Sequence, residues 1–132
     1  MSEAVRPLFD PRLEHLFGLR TPLLKALRGA GDCYTVGDIA DGILRGNFQY
    51  WMRGESGIVT EVVSYPRKKV LNYFLVLGKL DECLALQPEI EAFAREHGCA
   101  GVTCAGRDGW LRVLPKHGWR SLWNVMVKEF QP

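Results

Sequence analysis

The stretch Val70 to Leu77 constrains this chain most. It reads VLNYFLVL, with Asn72 its only polar residue, and it runs directly into Gly78. Eight residues without alternation do not suit a strand that shows one face to water. They suit a central strand buried on both faces, which demands a sheet with cover on each side. A chain of 132 residues has room for one such domain.

The surroundings of that strand set the order of elements. Upstream, Thr35 with Asp38 three residues on resembles a capping box. Val36, Ile39, Ala40, Ile43 and Leu44 follow on one helical face, and Gly46 ends it. Phe48 to Arg53 and Ile58 to Tyr65 then read as two strands joined by a turn at Gly54-Glu55-Ser56-Gly57. Pro66 to Lys69 is a basic turn into the central strand. Downstream, Asp81 is expected to cap a helix that presents Cys83, Leu86, Ile90, Phe93 and His97. Pro88 predicts a break, with the main helix starting there as its first residue. Gly98 stops it. Ala100 to Ala105 reads as a short strand, Trp110 to Lys116 as one or two helical turns, and Trp119 to Phe130 as a long final strand. The order β-β-β-α-β-α-β implies an α/β (α+β) mixed sheet flanked by helices.

The first 34 residues form an N-terminal helical extension ahead of a domain spanning 35 to 132. Pro7, Pro11 and Pro22 punctuate this extension. Leu13, Leu16 and Phe17, then Leu23, Leu24 and Leu27, lie at helical spacing. They must be covered by the body or by a partner.

Composition excludes several classes. A net charge of +2 is too mild to imply nucleic acid by itself. Cys33, Cys83, Cys99 and Cys104 contain no CxxC pair and fit no metal module, so no metal is expected; they read as small residues in a reducing compartment. MSEAVRPLF has no signal-peptide pattern and no apolar run approaches a membrane span, so a place outside the membrane is expected.

The element order from Thr35 to Phe130 resembles that of the GNAT family of N-acetyltransferases. Two stretches carry the likeness: the apolar strand running through Gly78 into a helix, and Lys116-His117-Gly118-Trp119 before the last strand, similar to the family's basic-x-Gly-Phe stretch. The resemblance implies a GNAT-like mixed sheet of about six strands. It also implies a cofactor site for acetyl-CoA, in which main-chain groups of Leu75, Val76 and Leu77 hold the pantetheine. Gly78, Lys79 and the backbone after them would hold the pyrophosphate. The stretch from Glu61 to Pro115 also resembles small GNAT-like proteins of tailed phages and prophages. That implies a host-cytoplasm or virion setting, with phage structural proteins or self-association as partners.

The chemistry differs from the family's pattern. The family's loop is Gln/Arg-x-x-Gly-x-Gly/Ala, whose small residues let phosphates approach the backbone at a helix N-terminus. Here it is Leu77-Gly78-Lys79-Leu80-Asp81-Glu82-Cys83, with two carboxylates where an anion would go. The central strand offers Asn72 and Tyr73 in place of a carboxylate base, and the last helix has no Tyr. Glu61 and His117 are the candidates for proton transfer. His97 suits a helix C-terminus, and His15 is expected at the surface. Arg67, Lys68, Lys69, Arg107, Arg112, Lys116 and Arg120 read as a solvated rim, and Trp110, Trp119 and Trp123 as core aromatics. These features favour a catalytically degenerate structural or binding module. The alternative is an acetyl-CoA-dependent N-acyltransferase with a divergent loop.

Overall fold

A computed structural model describes residues 10–105, 108–123 and 125–132. Pro7 and Arg107 lie outside them. The sheet has four strands in the order β1-β2-β3-β4. Strand β1 is Gln49–Arg53, β2 is Ser56–Ser64, β3 is Lys69–Leu77 and β4 is Val102–Cys104. The first three are antiparallel neighbours, and β4 joins β3 in parallel.

Local sequence accounts for most of these elements. The β1–β2 hairpin pairs Arg53 with Ser56 across Gly54-Glu55, and Gly54 has the positive φ that the turn requires. Helix α3, Val36–Arg45, opens on a complete capping box from Thr35 and Asp38 and closes on Gly46 in the left-handed region. One register shift bends the sheet. Val59 faces Leu75 while Thr60 faces Tyr73, so Phe74 is the extra residue of a β-bulge.

Two apolar layers cover the sheet, as the central strand requires. On one face lie helices α1 (Pro11–Gly18) and α2 (Arg20–Gly29), together with α3. Leu16, Leu23, Leu27, Ile39 and Ile43 pack there with Val59, Leu75 and Leu77. Asp10 caps α1 by accepting from the Arg12 amide, and the Arg12 side chain holds the Asp10 carboxyl below its ordinary pKa. Leu16, Leu23 and Leu27 of the N-terminal segment are thus buried by the body itself, while Phe17 and Leu24 stay exposed. On the other face, helix α4 (Leu80–Glu96) packs Cys83, Leu86, Ile90 and Ala94 against Ile58, Leu71 and Tyr73.

Two expectations are corrected. Helix α4 is continuous from Leu80, with Lys79 as its N-cap, rather than two pieces divided at Pro88. Pro88 is exposed, on the side away from the sheet. There the freed carbonyl can bond to water and the helix can curve, while buried Leu86 and Ile90 hold the turns on either side. An interior proline costs about 3 kcal/mol, which anchoring by four buried side chains at ~1–3 kcal/mol each can offset.

Among the described residues the sheet also has four strands rather than about six. Helix α5 (Asp108–Val113) and a 3₁₀ turn (Leu114–His117) stand where helical turns were expected, and Gly118 closes the turn in the left-handed region. Residues 119–123 and 125–132 then form no strand. The expected strand carries apolar residues on both alternating faces. Such a strand needs cover on two sides, and beyond β4 the described residues of this chain supply no second layer.

Candidate functional site

The shortness of β4 leaves a gap in the sheet. The β3–β4 pairing comprises Leu71 with Val102, Asn72 with Thr103, and Tyr73 with Cys104. There β4 ends, while β3 runs four residues further to Leu77. The β3 edge from Phe74 onward is therefore free of β4. A cleft of about 90 Å³ lies there on the α2 side, walled by Phe74, Leu75, Val76, Cys104, Ala105, Trp110 and the end of α2. A second, of about 20 Å³, lies on the α4 side between Ile58, Cys83, Leu84, Gln87, Leu114 and Trp119. Tyr73, Val76, Cys104 and Trp110 line both. The two clefts thus meet at the gap where the strands diverge.

One polar atom stands out in the wall of the gap. The Tyr73 hydroxyl is buried and has no hydrogen-bond partner among the described residues. Burial raises its pKa above the ordinary phenol value, so it remains a donor. Trp119 packs edge-on to the Tyr73 ring with centroids 5.4 Å apart. Beside it, burial pushes the Cys104 thiol up to about 11. A group of that kind is a poor nucleophile near neutral pH.

The strand-to-helix loop after β3 is only Gly78 and Lys79. Gly78 has φ +104°, and a Cβ there would meet Ser56 Cα at 2.7 Å and the Glu55 carbonyl oxygen at 2.8 Å. The loop lies against the β1–β2 turn and is bonded to it. The Lys79 amide donates to Ser56 Oγ at 2.8 Å, and Ser56 Oγ donates to Glu82 Oε1 at 2.6 Å. The Glu55 amide donates to the same carboxylate oxygen at 3.3 Å. Ser56 is fully buried. Glu82 is the third residue of α4, and Asp81 precedes it in the same first turn. The electropositive end of α4 therefore already has two carboxylates of this chain, and one of them is fixed by two donors.

The site candidates fall in different places. Leu75 and Val76 line the cleft, whereas Leu77 is buried in the core on the α1–α3 face. Gly78 and Lys79 form the filled loop, with Lys79 Nζ 3.4 Å from Glu55 at the exposed surface. Glu61 lies on β2 in a row that crosses three strands. Asn72 Nδ2 donates to Glu61 Oε2 at 3.3 Å, and Thr103 Oγ1 donates to Asn72 Oδ1 at 2.9 Å. His117 ends the 3₁₀ turn, exposed, and its neighbours Leu114 and Trp119 face the α4 layer. Thr60 bonds to Trp51 in that same layer, so Glu61, the next residue along β2, points to the opposite face. No hydrogen bond joins Glu61 to the exposed His117 among the described residues.

Sequence spacing missed one pair. His15, expected at the surface, is half-buried: its Nδ1 is 2.6 Å from the Tyr50 hydroxyl and its Nε2 is 2.8 Å from the Gly54 carbonyl oxygen. In the neutral ring, Nε2–H donates to the carbonyl and Nδ1 accepts from tyrosine. Burial raises the Tyr50 pKa. Thirty-five residues separate the partners, and no local pattern announces such a contact. Among the described residues His97 makes no long-range bond; it stacks on Phe93 and bonds to the Phe93 carbonyl through Nδ1. Trp123 lies exposed, unlike Trp110 and Trp119. No cluster of metal-ligating side chains occurs among the described residues, and no helix there is long and apolar enough to cross a membrane.

No protein-family model matches the chain, and no curated protein does. Among solved structures, the crystal structure of an acetyltransferase from Trypanosoma brucei is similar, with a TM-score of 0.58 at 15% identity. The match covers 83% of this chain and 92% of that one. At that identity the likeness is one of fold, and it supports a GNAT-like, mixed α+β architecture for this chain.

Proposed function

We propose that this chain is a catalytically silent GNAT-like scaffold that acts as a binding or structural module. One observation carries the reading. The carboxylate of Glu82, held by Ser56 and the Glu55 amide, stands at the helix N-terminus where the fold's cofactor pyrophosphate would have to lie. Two like charges about 6 Å apart at the protein surface repel by a kcal/mol or more, and displacing Glu82 would break two hydrogen bonds besides. The loop offers little room to relocate, since it is two residues long and Gly78 is pressed against Ser56. The tie to phage-encoded proteins, and so to a virion or infected-cell setting, rests on the sequence resemblance.

A second reading keeps one observation in its favour. The β3–β4 gap is a cleft beside Leu75 and Val76, with the unpartnered Tyr73 hydroxyl in its wall. An acetyl-CoA-dependent acyltransferase would use it for the acyl-pantetheine arm.

Thermal melting with 1 mM acetyl-CoA separates the two. A ligand present at about 100 times its Kd stabilises by ~2.7 kcal/mol, a shift of several degrees. The scaffold reading expects no shift; a clear upward shift would overturn it.

A further inference from the structure

We infer that the β1–β2 turn is a latch between the two helical layers: His15 of α1 and Glu82 of α4 hold the same residue, Gly54, so the docking of α1 sets how firmly the first turn of α4 is filled. The inference rests on the reading of the α4 loop as filled, and it holds without any ligand. Gly54 is where the two grips meet. His15 Nε2 is 2.8 Å from its carbonyl oxygen. The Glu82 carboxylate lies against its Cα, where an added Cβ would meet the Glu82 carboxyl carbon at 2.8 Å. Helices α1 and α4 belong to different apolar layers, and among the described residues no hydrogen bond joins one to the other. The turn is the element they share.

The sequence Gly54-Glu55-Ser56-Gly57 fits this two-sided use. The hairpin turn needs Gly54, whose φ is positive. It does not need Gly57, which lies inside β2 opposite Met52 and Leu77 and has no positive φ. Glycine inside a strand weakens it, and it often marks a close approach. Here the Tyr50 ring makes that approach: a Cβ on Gly57 would meet Tyr50 Cζ at 2.7 Å and Cε1 at 2.8 Å. The same ring carries the hydroxyl that lies 2.6 Å from His15 Nδ1. One glycine thus admits the grip from α4, and the other admits the grip from α1. The turn passes the constraint on. The Glu55 amide and the Ser56 hydroxyl donate to Glu82, and Ser56 Oγ accepts the amide of Lys79, the N-cap of α4. With His15 withdrawn, the Gly54 carbonyl loses this donor and the turn can tilt. The bonds that seat Glu82 then open more often. Coupling of this kind is reciprocal, so unseating Glu82 must also loosen His15.

The test uses the full-length chain and no ligand, so its failure is distinguishable from failure of the silent-scaffold reading. Amide hydrogen exchange is followed at Lys79, on the far side of the turn from His15. His15→Ala should speed that exchange about tenfold, the effect of losing one or two hydrogen bonds that hold the turn. Tyr50→Phe keeps the ring over Gly57 and removes only the hydroxyl, so it should speed exchange about threefold. Leu23→Ala loosens the same N-terminal layer without touching the turn, and should leave Lys79 within about twofold of the native rate. The reverse direction is read on His15 itself by ring ¹⁵N spectra at about pH 8, where an unperturbed imidazole is neutral. The native chain should show one tautomer, with the proton on Nε2, and Glu82→Ala should show a mixture. Exchange at Lys79 within about twofold of native in both His15→Ala and Tyr50→Phe overturns the latch. An equal acceleration in Leu23→Ala overturns it too, because the effect is then general loosening. So does a His15 tautomer unchanged by Glu82→Ala. If His15→Ala does not fold, Tyr50→Phe decides the first arm alone.

Discussion

Removing the Glu82 carboxylate tests the filled loop through stability. Ser56 is fully buried and its hydroxyl has a single acceptor, Glu82, while its oxygen accepts the Lys79 amide. Glu82→Ala leaves that hydroxyl without an acceptor. A hydrogen bond to a charged group contributes about 1.5–3 kcal/mol, and a carboxylate in a helix's first turn adds ~0.3–1 kcal/mol. Glu82 is half-exposed, so solvent screening brings the expected loss to about 2 kcal/mol. For a domain of this length that lowers Tm by about 8 °C. Ser56→Ala should cost a similar amount, because it orphans the Lys79 amide as well. Combining the two should cost about 1 kcal/mol or more less than their sum, since both break one network. Glu89→Ala, an exposed change on the same helix, should stay within ~0.5 kcal/mol. Differential scanning calorimetry on the four variants and the native chain completes the cycle. If Glu82→Ala melts within about 1 °C of the native protein, or if the pair is additive, the network does not hold the loop and the reasoning fails.

Other consequences can be measured on the same protein. Leu23→Ala should destabilise by about 2–5 kcal/mol in urea titration, because Leu23 is fully buried between α2 and the sheet. A loss under ~1 kcal/mol would mean that the N-terminal helices are not part of the core. Gly78→Ala should cost at least ~2 kcal/mol, since a Cβ at φ +104° would meet the Ser56 and Glu55 backbone; the unfolding midpoint reads this directly. Alkaline pH should weaken the fold. Burial raises Cys83 and Cys104 from 9.0 to about 11, so the folded state holds those protons more tightly than the unfolded state does. The stability they contribute is intact below pH 9 and lost as pH rises from 9 to 11. A Tm that stays level across that window, measured under reducing conditions, would contradict these assignments.

What the sequence reveals here follows the range of the interactions. Thr35 and Asp38 cap α3 across three residues, and Val70 to Leu77 announces a buried strand by composition alone, so both were legible. Pro88 misled because a proline is judged by its local hydrogen bond. Its tolerance comes from Leu86 and Ile90 anchoring α4 on a sheet built from residues distant in sequence. The missing strands have the same origin. The pattern Trp119 to Phe130 is strand-like, but pairing needs a partner, and this chain's described residues provide none with two-sided cover. At the site, the unusual Asp81-Glu82 pair was visible as a departure from the family's loop. Its consequence was not, because Ser56 lies 26 residues from Glu82 and nothing local joins them. The bulge at Phe74 in the β2–β3 ladder likewise has no signature in the run VLNYFLVL.

The most direct measurement is residue-resolved. Amide ¹H–¹⁵N spectra of the native protein, titrated with coenzyme A to 5 mM, report on the first turn of α4 itself. With Glu82 seated against Ser56, the amides of Gly78, Lys79 and Leu80 should keep their positions throughout. Saturable shifts at those three amides would place a pyrophosphate at the helix N-terminus and contradict the account.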